Sequence, residues 1–197
     1  MTLELLLVRH AETPCARRRV FCGDCDTPLT DGGTEAAGRL AAALGDGRFG
    51  AVDAVVSSPA VRGALTSGPI ADRLGLKART DPRWAELRFG DWEGLVTASV
   101  EQGAWADDPV TVAPPGGEPG AAVLARTVAA VRDLADAHPG GRVVVVSHAH
   151  VIRLLLAHAG DLPLRAYRAG VTVPPGSLSV LRYGERGLRL ATGPNTV

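Results

Sequence analysis

Arg142-Val143-Val144-Val145-Val146-Ser147 runs directly into His148-Ala149-His150 and then into the apolar stretch Val151–Ala159. Four consecutive β-branched residues bounded by polar ones read as a strand buried on both faces, and Ala149–Ala159 reads as an apolar helix packed behind it. Upstream, Glu118–Ala137 has helical spacing, with Pro119 suited to its first turn and His138-Pro139-Gly140-Gly141 as its exit. The same alternation starts the chain. Leu3–Val8 is a second doubly buried strand, and Gly33–Leu44 is a helix stopped by Gly45-Asp46-Gly47. Ala54–Val56 is a strand ending at Ser57-Ser58-Pro59, and Ala60–Leu74 is a helix closed by Gly75. Strand-like runs at Val171–Val173, Leu178–Tyr183 and Leu188–Ala191 follow. This order implies an α/β fold of three layers, a mostly parallel central sheet with helices on both faces. One domain over 1–197 is expected, with an irregular Pro-, Gly- and Asp-rich insertion at about 95–117.

The 197 residues carry 21 Lys+Arg against 21 Asp+Glu, and lysine occurs once, as Lys77. A cancelled charge removes the electrostatic reason to expect nucleic acid or a membrane surface as partner. Hydrophobic residues at 46% argue against disorder. No stretch has the roughly 18 apolar residues of a membrane span, and the short run at the N-terminus contains Glu4 and lacks a cationic lead. Three cysteines do not make a disulfide scaffold. The expectation is a cytoplasmic protein with reduced thiols, monomeric or homodimeric.

In open α/β sheets ligands bind beyond the carboxyl ends of the strands. Three segments fall there: Arg9-His10-Ala11-Glu12-Thr13, Ser57-Ser58-Pro59-Ala60-Val61-Arg62 and Ser147-His148-Ala149-His150. Singly, a histidine after a strand is an ordinary structural residue and an arginine near a helix start faces solvent. Together they bring two guanidinium forks, imidazoles and free helix N–H groups to one edge, a set that suits a phosphoryl group. A histidine beside such a group can attack phosphorus and carry it covalently.

Those residues also carry a resemblance. Leu7-Val8-Arg9-His10-Ala11-Glu12-Thr13 with Asp26-Thr27-Pro28-Leu29-Thr30, then Ser57–Thr66, then Glu86-Leu87-Arg88-Phe89-Gly90-Asp91-Trp92-Glu93-Gly94, and finally Val146–Arg153 resemble, in order, the motifs of the histidine phosphatase superfamily. The superfamily includes phosphoglycerate mutases and small phosphatases such as those acting on α-ribazole phosphate. The resemblance implies that His10 is the nucleophile that becomes phosphohistidine, and that Arg9, Arg62 and His148 surround the phosphoryl group. It implies Glu86 as general acid and base, where the residues alone leave Glu12, Asp91 and Glu93 equally eligible. It places Cys22, Gly23, Trp92 and Ala149 where substrate approaches, and it implies no metal and no cofactor.

Several features depart from the pattern or point elsewhere. Ala11 and Ala149 stand where the family has glycine, a cost only if either backbone needs positive φ. Ala16 and Val20 stand where many members have a phosphate-binding asparagine and an arginine, and the neighbouring Arg17, Arg18 and Arg19 either compensate or, the preferred expectation, face solvent. Cys22-Gly23-Asp24-Cys25 has the spacing of a redox pair but opens no helix, so free thiols are expected there. Cys15, Cys22 and Cys25 lack zinc-site spacing. His148-Ala149-His150 fits an H-x-H metal pair, the basis of a rival metallohydrolase reading, although an arginine fork is an awkward neighbour for a cation. Trp84, Trp92 and Trp105 are packing residues, or else Trp92 or Trp105 lines a leaving-group pocket.

The expected activity is a metal-independent phosphomonoesterase acting on a small phosphorylated substrate. The insertion is short beside those of the mutases, and the Phe89–Gly94 stretch resembles the phosphatase branch. A phosphoglycerate-type mutase is the first alternative, and a weakly active phospholigand-binding or regulatory protein the second.

Overall fold

Two apolar runs, Leu3–Val8 and Val143–Val146, sit side by side at the centre of the sheet. The computed structural model describes residues 1–196. The chain runs β1 (Leu3–Arg9), α1 (Pro14–Arg18), α2 (Asp31–Gly45), β2 (Ala54–Ser57), α3 (Val61–Leu74) and β3 (Ala78–Thr80). It continues through α4 (Gly103–Asp107), α5 (Gly120–Ala137), β4 (Arg142–Ser147), α6 (Ala149–Ala159), α7 (Tyr167–Gly170), β5 (Ser177–Gly184) and β6 (Gly187–Thr196). The strand order is β3-β2-β4-β1-β5-β6. β3, β2, β4 and β1 are mutually parallel, whereas β5 runs antiparallel to β1 and β6 antiparallel to β5.

Side-chain alternation explains why those runs are apolar throughout. Leu5, Leu7, Val143 and Val145 point to one face and join Val123 and Val131 of α5 and Leu154 and Leu155 of α6. Leu6, Val8, Val144 and Val146 point to the other and join Leu40 and Leu44 of α2 and Ile70 and Ala71 of α3. Each such Val, Leu or Ile side chain contributes about 1.5–3 kcal/mol by burial. Thr30 caps α2 through its hydroxyl, and Gly75 closes α3 in the left-handed region at φ 67°. Among the described residues no helix is long and apolar enough to cross a membrane.

Two expectations for the strands change. Val171–Val173 is not a strand: Pro174 and Pro175 follow and cannot donate to a ladder, and the Val173 carbonyl instead accepts from Arg9 Nη1 at 2.6 Å. Ala78–Thr80, all exposed, forms the parallel edge strand β3 without any apolar signature. The insertion at 95–117 is anchored rather than draped. Trp105 of α4 is 1% exposed and stacks edge-on with Phe21, Phe89 and Trp92.

Candidate active site

The end of β1 and the segments that follow β2 and β4 converge on one cavity of about 270 Å³. Arg9, His10, Cys15, Cys22, Arg62, Glu86, Ala149 and His150 all contribute to its lining, joined by Arg153 of α6 and Arg168 of α7.

His10 is 5% exposed, and its Nδ1 lies 2.8 Å from the Ala11 carbonyl. A carbonyl only accepts, so Nδ1 carries the proton and Nε2 keeps its lone pair. Burial, with Arg9 and Arg62 nearby, pushes the imidazole down to about 3, leaving a neutral nitrogen nucleophile at neutral pH. The Ala11 N–H donates to Thr66 Oγ1, tying the residue after the histidine to α3. Neither Ala11 nor Ala149 has positive φ, so alanine costs no backbone strain at either position.

Arg62 is 1% exposed. Its Nε donates to His148 Nδ1 at 3.2 Å, Nη1 to the Cys25 carbonyl at 2.7 Å, and Nη2 to the carbonyls of Cys22 and Gly23 at 3.0 and 2.9 Å. Four of the five guanidinium protons are thereby used, and one remains for a ligand. Arg9 is complementary. Only Nη1 has a partner, Val173 O, and its buried Nε has none among the described residues. Burial, opposed by Glu86, pushes Arg9 down to about 10, still cationic at neutral pH. Arg153 Nε is likewise buried and unpartnered among those residues. Arg9 and Arg153 both line the cavity, each with a buried Nε that has no acceptor among the described residues, and two such guanidinium groups suit an anion.

His148 sits behind this wall, fully buried, its ring 5.1 Å from that of His10. Because Nδ1 accepts from Arg62, Nε2 is the protonated nitrogen, donating to Ser58 Oγ at 2.6 Å. It thus holds Arg62 in place. Glu86 is the only carboxylate lining the cavity among the described residues, which separates it from its rivals. Glu12 is engaged with Arg17 and Thr30, Asp91 is exposed, and Glu93 accepts from the N–H groups of Gly23, Asp24 and Phe89. Ser147 Oγ holds the Trp84 carbonyl at 2.8 Å and so fixes the turn that presents Glu86 at the end of β4. Burial alone would raise the Glu86 carboxyl. The His150 ring beside it and the N–H groups of Leu87 and His150 instead hold it well below the usual range, as an anion.

The remaining expected contacts sort unevenly. Gly23 lies behind Arg62, its carbonyl accepting from Nη2, and Trp92 packs on Phe21 and is not among the residues that line the cavity. Arg17, Arg18 and Arg19 are exposed, Arg17 being paired with Glu12, while apolar Ala16 and Val20 line the cavity. His148 and His150 engage different partners, and among the described residues they share no cluster of metal-ligating atoms. Cys22 and Cys25 are joined as a disulfide, not left as free thiols, and Cys15 is free and buried beside them. The tetrapeptide doubles back because Arg62 gathers its carbonyls and Glu93 its amides, which no spacing rule displays. Arg153, Arg168 and the clamp made by Glu93 carry no sequence signal beyond their residue type.

Three buried neutral histidines bear on acid stability. Burial lowers His10, His148 and His150 relative to the unfolded chain. Below pH 6.5 the unfolded state therefore binds more protons than the folded one, and stability falls with pH. The slope approaches ~1.4 kcal/mol per histidine per pH unit. Urea unfolding at pH 6.5 and 5.5 is expected to differ by about 2–4 kcal/mol, and equal midpoints would show that these histidines are charged in the folded protein.

Comparisons with known proteins agree with this geometry. Residues 5–196 match the family described as "Histidine phosphatase superfamily (branch 1)". A "Bifunctional protein" of Mycobacterium tuberculosis is 34% identical over 163 residues, covering 80% of this chain and 44% of that protein, so the chain spans less than half the length of such relatives. The "Glucosyl-3-phosphoglycerate phosphatase" of M. tuberculosis is 32% identical over 179 residues, covering 84% of this chain and 78% of that protein. The native structure of the mycobacterial glucosyl-3-phosphoglycerate phosphatase is similar with a TM-score of 0.86 at 30% identity, covering 98% of this chain and 99% of that one. For the alpha-ribazole phosphatase from Shigella flexneri the TM-score is 0.84 at 26% identity, covering 98% and 97%. With its strand-end arginines and histidines gathered on one cavity, the chain belongs to the histidine phosphatase superfamily, branch 1.

Proposed function

We propose that this protein hydrolyses small phosphomonoesters through a phosphohistidine on His10, without a metal. The observation that carries the reading is a neutral imidazole, its Nδ1 tied to a carbonyl, in a cavity lined by arginines whose buried Nε groups have no acceptor among the described residues. His10 Nε2 attacks phosphorus as the ester P–O bond breaks, and Arg9 and the remaining Arg62 proton take the growing charge on the phosphoryl oxygens. The departing alcohol needs a proton. Near neutral pH part of the ester is a monoanion, and Glu86 passes that proton to the leaving oxygen. Glu86, again a carboxylate, then removes a proton from the water that cleaves the P–N bond. His148 acts as a positioning residue through Arg62.

Charge refines the substrate class. Four arginines and one carboxylate line the cavity, an excess of three positive charges, one more than a phosphate dianion neutralises. Arg168 is held by Gln102 Oε1 at 2.8 Å and lies 3.9 Å over the Trp105 ring, fixed beside Arg153. A second anionic group on the ester, such as a carboxylate, matches this end. The phosphoglycerate named for the M. tuberculosis relative has that chemistry.

The test is turnover of an aryl phosphate in excess chelator, with trapping of acid-labile, base-stable phosphate on the His10 peptide. A chelator-sensitive rate, or label on another residue, would reject the reading. For substrate class, 3-phosphoglycerate is expected to exceed glycerol 3-phosphate about tenfold or more in kcat/KM, a difference that Arg168→Ala brings toward one. Equal turnover of the two esters by the unmodified enzyme would remove the second anionic group.

A further inference from the structure

One wall of the cavity holds sulfur. The Sγ atoms of Cys15, Cys22 and Cys25 lie within 4.8 Å of one another, and Cys15 and Cys22 both line the cavity. Cys22 and Cys25 are joined, leaving Cys15 as a free thiol in the same wall. The closed tetrapeptide does not stand apart from the chemistry. Three carbonyls of the closed tetrapeptide accept from Arg62: those of Cys22 and Gly23 lie within the disulfide ring, and that of Cys25 leaves it at its last residue. Joining the ends of four residues keeps these carbonyls convergent. Of the tetrapeptide's amides Glu93 holds those of Gly23 and Asp24, so opening the ring removes the covalent tie on Cys25, whose carbonyl is then positioned by Arg62 itself and by the adjacent Asp26, which accepts from the Val61 N–H.

We propose that Cys15, Cys22 and Cys25 form a thiol–disulfide exchange site in the cavity wall, through which a dithiol reactant sets how firmly Arg62 holds the phosphoryl group. The inference rests on the phosphate-binding reading of this cavity. An external dithiol reduces the Cys22–Cys25 bond, taking up the oxidation as its own disulfide and leaving two thiols on the protein. The internal step is redox-neutral: a Cys15 thiolate attacks Cys22 Sγ, the Cys22–Cys25 bond breaks, and the electron pair leaves on Cys25. That step draws Cys22 toward α1 and removes the ring that presents the carbonyls to Arg62.

The experiment compares the protein equilibrated with oxidised and with reduced dithiothreitol. Alkylation with mass spectrometry reads the thiols, and calorimetry with inorganic phosphate reads the grip of Arg62. One thiol is expected to alkylate in the oxidised form and three in the reduced form, with phosphate Kd about tenfold weaker on reduction. Cys25→Ser, treated with oxidant, is expected to yield a Cys15–Cys22 cross-linked peptide. The double variant Cys15→Ser/Cys25→Ser, with no pair left to join, is expected to bind phosphate equally under both conditions. An unchanged Kd when alkylation shows the ring opened overturns the proposal, as does a missing cross-link or a redox response in the double variant. Because phosphate binding is read without turnover, an inactive protein whose Kd still shifts keeps the exchange site and rejects the phosphatase. Active turnover with an unshifted Kd does the reverse.

Discussion

His10→Ala is expected to lower kcat for an aryl phosphate by about 10⁴-fold or more, since it removes the atom that accepts the phosphoryl group and no other side chain replaces it. The fold should survive. The ring makes one hydrogen bond, to the adjacent carbonyl, and it borders the cavity and not the packed layers. Its loss also relieves a desolvated imidazole that cannot take a proton until about pH 3. The variant should bind inorganic phosphate nearly as well as the parent, because the guanidinium donors of Arg9 and Arg62 remain. A loss of turnover with phosphate affinity kept separates chemistry from binding, and residual activity above a few per cent would place the nucleophile elsewhere.

How far the sequence displays this site depends on which residues hold it. Val143–Val146 and Leu3–Val8 are legible because burial on both faces demands apolar side chains at every position, and strand ends locate Arg9, His10, Ser57, Ser147 and His148. Ala78–Thr80 is illegible because an exposed three-residue edge strand is held by its backbone alone, and Val171–Val173 misleads because its apolar side chains are buried without a ladder. Glu86 emerges from four eligible carboxylates only once Glu12, Asp91 and Glu93 are seen to be engaged or exposed. The Cys22–Cys25 closure and the Arg153–Arg168 end of the cavity depend on contacts between segments far apart in the chain, which no local pattern records.

Glu86→Gln should split the reaction in two. Glutamine keeps the size of the side chain and an oxygen for the N–H groups of Leu87 and His150, but it neither donates a carboxylic proton nor accepts one from water. An aryl phosphate leaves as a stabilised phenolate and needs no acid, so phosphorylation of His10 continues in the variant. Hydrolysis of the phosphohistidine needs the base, and here the resting state of Glu86 matters. The carboxyl is held well below its usual range, so the parent has its base ready across neutral and mildly acidic pH, and only strong acid removes it. The variant lacks it at every pH. The expected record is a burst of phenol equal to the enzyme concentration, then a steady rate about 10²–10⁴-fold below the parent. Acid-labile phosphate should accumulate on His10 during that phase. With an alkyl phosphate the burst should vanish, because alkoxide departure fails before any phosphohistidine forms. A variant that turns over aryl and alkyl esters without a burst at the parent's rate would show that a group other than Glu86 moves the proton. His150, whose ring nitrogen already lies 3.5 Å from the carboxylate, is the next residue to test in that event.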